Sequence, residues 1–246
     1  MPVIEIKNGV PRHPGKRMAA PVNLCIGHGE QIAIVGDNAS GKSRLVDIIT
    51  GRYPLLMDEV RYDFGASPHR MVCDNLRTIT FRDSYGDADG AYYLQQRWNQ
   101  HDIDPSTPQV DGKYIISLSS GELRKYMLRR AIAHAPRVLV IESPYIGLDV
   151  QARAQLTDML GALIRENGLQ VILVLTTGED IPPFITHIVP VADMAVGAKT
   201  PVWPRSDIDS TPLKTNSTGL KINSTPLNPR SAAMKREILR FRDVTV

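Results

Sequence analysis

The chain has 246 residues, of which 42% are hydrophobic and 22% charged, and this is the composition of an ordinary globular protein with enough length for a substantial core. Its net charge of +3 is unevenly distributed, because residues 199–246 hold 9 basic and 4 acidic side chains. Residues 1–198, the body of the chain, therefore hold 20 basic and 22 acidic side chains. This balance argues against a nucleic-acid-binding surface on the body. No apolar run approaches the roughly 18 residues of a membrane span, and the opening lacks a signal-peptide pattern, so we expect no direct membrane insertion.

Strand and helix patterns alternate along the first part of the chain. The opening "VIEIKNGV" (3–10) has strand character. "GEQIAIVG" (29–36) predicts a buried strand that closes on a glycine turn, and "SRLVDIITG" (43–51) predicts a helix with a glycine stop. "TITF" (78–81) predicts another buried strand. The pattern is typical of strands joined by helical crossovers.

The same alternation returns further along. "VLVI" (138–141) and "VILVL" (171–175) predict buried strands, and the helical stretch 151–167 between them ends at a turn. Strands alternating with helices indicate an α/β fold with a parallel sheet. The polar residues 86–117 interrupt the rhythm with one predicted helix, "YYLQQRWNQ", so we expect an inserted helical subdomain over about 86–135.

The composition changes from residue 199. Residues 199–235 are rich in Ser, Thr, Pro and Asn and repeat "STPL", so we expect a flexible linker. Residues 236–246 regain strand character in "EILRFRDVTV", which resembles the opening "VIEIKNGV". This segment is either a terminal strand that docks on the same sheet or the start of a second copy of the domain.

The segment "GDNASGKS" matches the phosphate-binding pattern G-x-x-x-x-G-K-[ST] between a predicted strand and a helix, which is the context that the motif requires. Successive backbone N–H groups at a helix N-terminus form a nest that favours phosphate. The lysine can bridge the β- and γ-phosphates, and the last serine can bind Mg²⁺. The predicted nucleotide-binding residues are Gly36, Asp37, Asn38, Ala39, Ser40, Gly41, Lys42 and Ser43.

A second motif, "LSSGE", opens the helix that leads into the strand 138–141. Ser119 and Glu122 have the spacing of a capping box, which would serve only the helix. The amides of Ser120 and Gly121 at the helix N-terminus could instead grip a phosphate on a surface separate from the first loop. The two interpretations are compatible. A "GLD" turn ending at Asp149 follows the strand.

Together these motifs resemble those of an ABC-type ATP-binding cassette, in the family's order over roughly residues 2–198. The resemblance implies a P-loop NTPase fold with a RecA-like core, ATP and Mg²⁺ as ligands, and head-to-tail pairing with a second ABC cassette, in the same full-length chain or another copy. Each ATP would then lie between the phosphate loop of one cassette and the signature "LSSGE" of the other, and Asp149 would belong to the D-loop. A membrane transporter subunit would be a further partner.

The resemblance extends to the tandem-cassette ATPases found with molybdate-transport genes, sometimes labelled photorepair proteins. It is carried by "YIISLSSGELRKYMLRRAI", "IGLDVQARAQL" and "LVLTTGEDIPPF". In those proteins a second cassette follows a linker, so residues 236–246 would be the first strand of a truncated second cassette.

The chain departs from the family where water is activated. In the family, the strand that corresponds to "VLVI" (138–141) normally ends in Asp-Glu: the Asp holds Mg²⁺ and the Glu polarises the attacking water. Here Glu142 takes the metal position, and Ser143 takes the position of the general base, which a neutral hydroxyl cannot fill at pH 7. Thr176 and Thr177 stand where the family has a γ-phosphate-sensing histidine.

Two further family positions are altered. After "TITF" the family has a glutamine near Mg²⁺, and Asp83 is the nearest substitute. Near residues 11–13 it has an adenine-stacking aromatic, and only His13 could stack there. The resemblance therefore implies that this cassette holds nucleotide in its own loop, hydrolyses it poorly, and lends its signature to a partner.

We expect an ABC ATPase cassette that binds Mg-ATP and works in a tandem or dimeric protein, with transport as one use of the energy. Two alternatives stay open: a nucleotide-dependent interaction module, and a nucleic-acid- or ribosome-associated ABC protein, against which the body's charge counts. The two distant cysteines match no metal or redox spacing. They favour a cytoplasmic location, at the inner face of the membrane if a transporter subunit is bound.

Overall fold

A computed structural model describes residues 2–57, 60–81, 109–110, 112–114 and 118–202. Within these ranges the helices are a short 3₁₀ helix Pro14–Lys16, then α1 Lys42–Ile49, α2 Val72–Asn75, α3 Ser120–Ile132 and α4 Val150–Asn167. The strands are β1 Ile4–Gly9, β2 Val22–Ile26, β3 Ile32–Gly36, β4 Val60–Tyr62, β5 Leu76–Thr80, β6 Gln109–Val110, β7 Lys113–Tyr114, β8 Val138–Glu142, β9 Gln170–Thr176, β10 His187–Ala192, β11 Ala195–Val196 and β12 Thr200–Pro201.

A parallel sheet organises the fold. Its order is β11-β10-β3-β9-β8-β5, with β12 paired to β10, and the steps from β10 through β3, β9 and β8 to β5 are all parallel. We call this the central sheet. The carboxyl ends of β3, β8 and β9 therefore meet at one edge, where ligands bind in open α/β sheets. An antiparallel sheet of order β2-β1-β4 forms a separate layer, and β6 and β7 form a small hairpin.

The apolar residues of the central strands alternate between two cores, one on each face of the sheet. Ile32 and Ile34 of β3 face one core with the antiparallel sheet and α1, whereas Ala33 faces the other. In the second core, Leu156 and Leu160 of α4 pack with the strand residues. Because both faces are covered, the strands read as continuous apolar runs, as in a buried parallel sheet.

The structure confirms the α/β class with a parallel sheet. Each predicted strand and helix among the described residues forms within a few residues of its expected bounds, including the glycine turn after α4, where Gly168 has φ 61°. The predicted helix "YYLQQRWNQ" and residues 203–246 lie outside the described residues. Of the described helices, none is both long enough and apolar enough to cross a membrane.

One boundary differs from the expectation. The composition predicts that residues 199–202 belong to the linker. In the structure, Thr200 and Pro201 instead form β12 and pair with β10. The N–H of Val202 donates to the carbonyl of Thr186 at 2.7 Å. Lys199 contacts Glu30, with Nζ 2.5 Å from Oε2. Backbone pairing and this ion pair hold the segment on the sheet, so the cassette continues through residue 202.

Replacing Lys199 by alanine should lower the melting temperature by about 2–3 °C, because a partly exposed ion pair contributes up to about 1 kcal/mol. Burial raises the pKa of Glu30, but the hydrogen bonds from Lys199 and the Gly27 N–H outweigh it and hold that pKa below its ordinary value. The effect should therefore be present at neutral pH and shrink as the pH falls below 4.5. Thermal unfolding of this variant is compared with that of Lys7→Ala, because Lys7 is 67% exposed in its ion pair with Glu5 whereas Lys199 is 22% exposed. Equal melting temperatures would contradict the role of Lys199.

Candidate functional site

The loop 36–43 connects β3 to α1, and two glycines in it are required by their surroundings. A Cβ on Gly36 would lie 2.1 Å from the carbonyl oxygen of Val191 in β10, so no other residue fits. Gly41 has φ 110°, in the left-handed region that favours glycine, and a Cβ there would also meet Met18 and Met194 at about 3 Å. The loop is therefore held in shape by β10 and by the turn after it.

Lys42 folds back into this loop. Its side chain is 8% exposed, and Nζ donates to the carbonyls of Gly36 at 2.5 Å and Asp37 at 2.7 Å. The ammonium group therefore lies inside the concave side of the loop, where phosphate oxygens would compete for it. The sequence predicted Lys42 as a phosphate ligand, and its position in the loop supports this role.

Ser43 and Glu142 come together although they are 99 residues apart. The Ser43 hydroxyl donates to Oε2 of Glu142 at 3.1 Å. Glu142 ends β8, two strands away from β3 in the central sheet, and Ser43 is in the first turn of α1. A hydroxyl beside a carboxylate is the hard oxygen pair that Mg²⁺ prefers, and Mg²⁺ at such sites is completed by water and substrate phosphates. This donor set fits Mg²⁺.

Two protein oxygens fill only part of the coordination shell of Mg²⁺, which usually keeps several waters and binds substrate phosphates. Within the described part of the chain, no group of three His, Cys, Asp or Glu side chains could hold a metal ion.

Ser143 lies directly after β8, at the edge where the loop 36–43 also lies. Its backbone has φ 52°, an uncommon conformation for a residue with a side chain, and its N–H donates to the carbonyl of Val174 at 3.1 Å. The turn is thus fixed by β9. Ser143 lines a cleft at the position that the sequence predicts for the general base.

The turn after β9 packs on the phosphate-binding loop. Thr176 is level with Gly36 in the sheet, and the N–H of Thr177 donates to the Gly36 carbonyl at 3.3 Å. Oε2 of Glu179 accepts from the N–H of Thr176 at 3.0 Å, closing the turn on itself. A cleft of about 460 Å³ opens here, lined among others by Asn38, Ser143, Thr176 and Glu179. The cleft brings the predicted phosphate, base and sensor positions together.

The "LSSGE" segment forms the predicted capping box at the start of α3. Oγ of Ser119 accepts from the N–H of Glu122 at 3.3 Å, and Oε2 of Glu122 accepts from the N–H of Ser119 at 2.9 Å. Ser120 begins the helix, and a Cβ on Gly121 would meet nothing within 4 Å, so this turn faces open space. The structural interpretation is confirmed, and the surface remains open to a ligand.

The signature helix is far from the loop of the same chain. Helix α3 packs against β5, which lies three strands from β3 in the central sheet. Adjacent strands are about 4.8 Å apart, so three steps along the sheet separate β3 from β5 by about 14 Å. The structure thus brings Lys42, Ser43 and Glu142 together and leaves the signature outside that group.

Asp149 caps α4: its Oδ1 accepts from the N–H of Ala152 at 2.7 Å. The turn before it is tied to the signature helix, because Nη2 of the buried Arg124 donates to the carbonyl of Ile146. The ring of Phe81, at the end of β5, lies under the same guanidinium at 5.2 Å. Asp83 follows shortly after and lies outside the described residues.

Several contacts around the site join residues that are distant in sequence. Met18 and Met194 pack on Gly41, and the N–H of Met194 donates to the carbonyl of Ser40 at 2.9 Å.

The His13 ring accepts from the N–H of Gly15 through Nδ1 at 3.1 Å, so it caps the 3₁₀ helix. The "HPG" sequence is the one local signal that could have predicted that cap.

The family model described as "ABC transporter" matches residues 19–145. The chain is 28% identical over 227 residues to the ABC transporter ATP-binding protein ModF of Escherichia coli (strain K12), covering 81% of this chain and 45% of ModF. It is 28% identical over 188 residues to the zinc import ATP-binding protein ZnuC 1 of Hahella chejuensis, covering 71% of this chain and 72% of that protein.

Two solved structures share the fold. The model resembles cbiO1 from Clostridium perfringens, part of the ABC transporter complex cbiONQ, with a TM-score of 0.61 and 16% identity over 80% of this chain and 88% of that one. It also resembles the ATP-binding cassette MJ0796, solved as a dimer in a post-hydrolysis state with ADP and Pi, with a TM-score of 0.55 and 18% identity over 80% of this chain and 98% of that one. The chain spans less than half of ModF, so it corresponds to one part of that relative.

Proposed function

The chain belongs to the ABC transporter family as an ATP-binding domain of the ATPase type, and on that premise we propose that it holds Mg-ATP in the loop 36–43 with little hydrolysis and completes the ATP site of a second cassette with its signature. One observation carries this proposal. The contacts of Lys42 and the pairing of Ser43 with Glu142 support binding, whereas the nearby cleft is lined at the predicted base position by Ser143.

The binding step follows from the contacts of the loop. Lys42 would exchange its two carbonyl partners for phosphate oxygens, and backbone amides of the loop at the start of α1 would take the remaining phosphate charge. Ser43 and Glu142 would hold Mg²⁺, which when bound neutralises charge that develops on the phosphates.

The hydrolysis step lacks a base. Attack on the γ-phosphate requires a group that orients water and accepts its proton, and such groups contribute about 10²–10⁴-fold in rate. Ser143 cannot accept that proton at neutral pH, and Thr176 and Thr177 carry no imidazole. Glu179 lines the cleft, but its carboxylate is engaged by the N–H of Thr176. Binding without rapid turnover is the expected behaviour of this site.

The signature acts on another cassette in this proposal. Its helix packs on β5, three strands from the β3 that leads into the loop 36–43, and its first turn is open. Ser119 and Gly121 can therefore reach an ATP molecule only if a partner carries it. The partner would be a second cassette in the same polypeptide, as the length of ModF suggests, or a second copy of this chain. Energising a membrane transporter subunit is the use that the names of the relatives suggest, and no residue points to a particular solute.

The alternative is a nucleotide-dependent interaction module, in which ATP binding drives association and hydrolysis is negligible in both sites. This alternative depends on the same observation, that a serine, Ser143, stands at the predicted base position. The base position of the partner cassette discriminates the two: an acid pair there favours an ATPase, and another serine favours the module.

Replacing Glu142 by glutamine should weaken ATP binding in the presence of Mg²⁺ by about tenfold, because a hard carboxylate oxygen next to Ser43 is lost to the metal. Binding in the presence of a chelator should change much less. Calorimetry with and without Mg²⁺ measures both effects. Glu166→Gln, on the exposed side of α4, is the matched control and should bind like the parent. An unchanged Mg²⁺ dependence in Glu142→Gln would contradict the metal assignment.

A further inference from the structure

The signature helix α3 carries a buried cation near its start. Arg124, two residues after the "LSSGE" segment, is 7% exposed. Its Nη2 donates to the carbonyl of Ile146, and its guanidinium carbon lies 5.2 Å from the centre of the Phe81 ring. Among the described residues, no acceptor is within hydrogen-bonding distance of its Nε or Nη1, although both atoms are shielded from solvent. A guanidinium has five N–H donors, so Arg124 is held by few of them.

A buried cation with unsatisfied donors is unfavourable for folding. Taking a charge out of water is costly, and each buried N–H without an acceptor adds to that cost. Burial also lowers the pKa of the Arg124 guanidinium, because the surroundings disfavour the charged form. An apolar side chain of similar length would fill the same space without this cost. The packing of α3 alone therefore does not explain an arginine at this position, and the contact with Ile146 becomes its main consequence.

Both partners of Arg124 are anchored at the end of β8. The N–H of Ile146 donates to the carbonyl of Ser143 at 3.4 Å, and the N–H of Phe81 donates to the carbonyl of Glu142 at 3.4 Å. Glu142 is the predicted metal ligand, and Ser143 stands at the predicted base position. Arg124 therefore joins the signature helix to the two residues at which β8 meets the nucleotide side of the sheet.

The turn 143–146 also borders the cleft beside the phosphate-binding loop. Ser143 and Ile146 line this cleft together with Asn38 of that loop. A nucleotide held by the loop would therefore stand beside the turn. From Ile146 the contact passes to Arg124, which lies in the second turn of α3, the helix that the signature opens. A helix moves as a rigid unit, so restraining its second turn also restrains the signature at its start.

We propose that Arg124 is a positioning residue that orients the signature turn, residues 119–122, according to whether nucleotide occupies the cleft of the same chain. This inference rests on the proposed binding of ATP by the loop 36–43. With nucleotide in place, the turn 143–146 is packed on its cleft side, and Arg124 holds α3 against it. In the empty cassette that side of the turn is unpacked, and the hydrogen bond to Ile146 restrains α3 less. ATP in one site then favours the signature orientation that serves the site of the partner.

Hydrogen exchange of the 246-residue chain, at a concentration low enough to keep it monomeric, tests the proposal within one cassette. Saturating Mg-ATP should slow amide exchange in three segments of the parent: the loop 36–43, the turn 143–146, and residues 122–128 of α3. In Arg124→Met the first two should be slowed as in the parent, whereas the effect on 122–128 should fall from about fivefold to less than about twofold. Methionine keeps the length of the side chain and can contact the Phe81 ring through its sulfur.

Two further variants and one stability measurement separate this coupling from packing. Arg124→Lys should retain most of the protection of 122–128, because a single carbonyl requires one donor and not the planar fork. Lys125→Met removes a charge from the exposed side of the same helix and should match the parent. The melting temperature of Arg124→Met should equal or exceed that of the parent, since a buried charge is removed. A purely structural role would instead lower the melting temperature and speed the exchange of α3 with and without ATP.

The outcomes separate this inference from the proposed function. If ATP protects the loop 36–43 and protects 122–128 equally in the parent and in Arg124→Met, Arg124 does not carry the coupling. If ATP protects the loop of the parent and leaves 122–128 unchanged, binding stands and the inference is refuted. A fall of more than about 5 °C in the melting temperature of Arg124→Met would make Arg124 a structural residue. If ATP leaves the loop of the parent unprotected, the proposed phosphate site itself fails, and the inference fails with it.

Discussion

Replacing Ser143 by glutamate should raise the rate of ATP hydrolysis by roughly 10- to 100-fold over the parent chain at high protein concentration. The new carboxylate would stand at the end of β8, facing the cleft that Asn38 and Thr176 line, and could accept a proton from water there. The gain should remain below the full 10²–10⁴-fold of a complete site, because Thr176 and Thr177 supply no imidazole. High concentration matters because a second chain must supply the signature.

Two variants at the same position control for size and packing. Ser143→Gln has the length of glutamate without its basicity, and Ser143→Ala removes the hydroxyl. Both should remain as slow as the parent if the missing carboxylate is the cause, and phosphate release measures all three. Residue 143 has φ 52° in the parent chain, and glutamate, glutamine and alanine all carry a Cβ as serine does, so we expect similar backbone strain across the series. A glutamine variant as fast as the glutamate variant would show that the carboxylate is not the missing element.

Replacing Lys42 by alanine should weaken ATP binding by about 30-fold. The ammonium group is buried in the phosphate-binding loop, and its two carbonyl contacts show that it reaches the concave side where phosphate would bind. Loss of a charge-assisted hydrogen bond costs about 2 kcal/mol, which corresponds to this factor. Calorimetry measures the affinity, and Lys125→Ala, an exposed lysine of α3, is the matched control.

The stability of Lys42→Ala has to be followed with its affinity, because the substitution leaves the carbonyls of Gly36 and Asp37 without their buried donor. A small fall in melting temperature is expected, with an unchanged circular dichroism spectrum. An ATP affinity equal to that of the parent in a folded Lys42→Ala would remove the phosphate loop from the proposed site.

The local features of the site could be predicted from the sequence because they are encoded in short segments. The loop 36–43 is contiguous, and the strands ending at Glu142 and Thr176 are runs of aliphatic residues that only a sheet buried on both faces explains. The capping box of Ser119 and Glu122 depends on a spacing of three residues. In each case the determinant and the structure lie in the same stretch of chain.

The features that sequence reasoning missed depend on distant partners. β10 contains Pro190 and lacks a long aliphatic run, and it forms because β3 pairs beside it. Residues 199–202 have the composition of a linker, yet β10 and Glu30 hold them on the sheet. Arg44 of α1 donates to the carbonyl of Arg17, which precedes β2, and neither segment predicts this contact. Such contacts follow from topology, which a local pattern does not contain.

The pairing of Ser43 with Glu142 could be predicted in part from the sequence. Each residue was predicted as a metal ligand from its own motif, and their proximity follows from the parallel order β3-β9-β8 of the central sheet. The structure supports the pair by placing the two oxygens 3.1 Å apart. Asp83 lies outside the described residues, so its role near Mg²⁺ stays a prediction.

The most direct measurement of the central claim is the steady-state rate of ATP hydrolysis by the unmodified 246-residue chain, in samples where calorimetry shows that the loop 36–43 is occupied. Bound ATP with turnover far below about 1 per second is the predicted result, because Ser143 cannot activate water. A rate of about 1 per second or faster with occupied sites would contradict the account and would mean that a residue other than Ser143 activates the water.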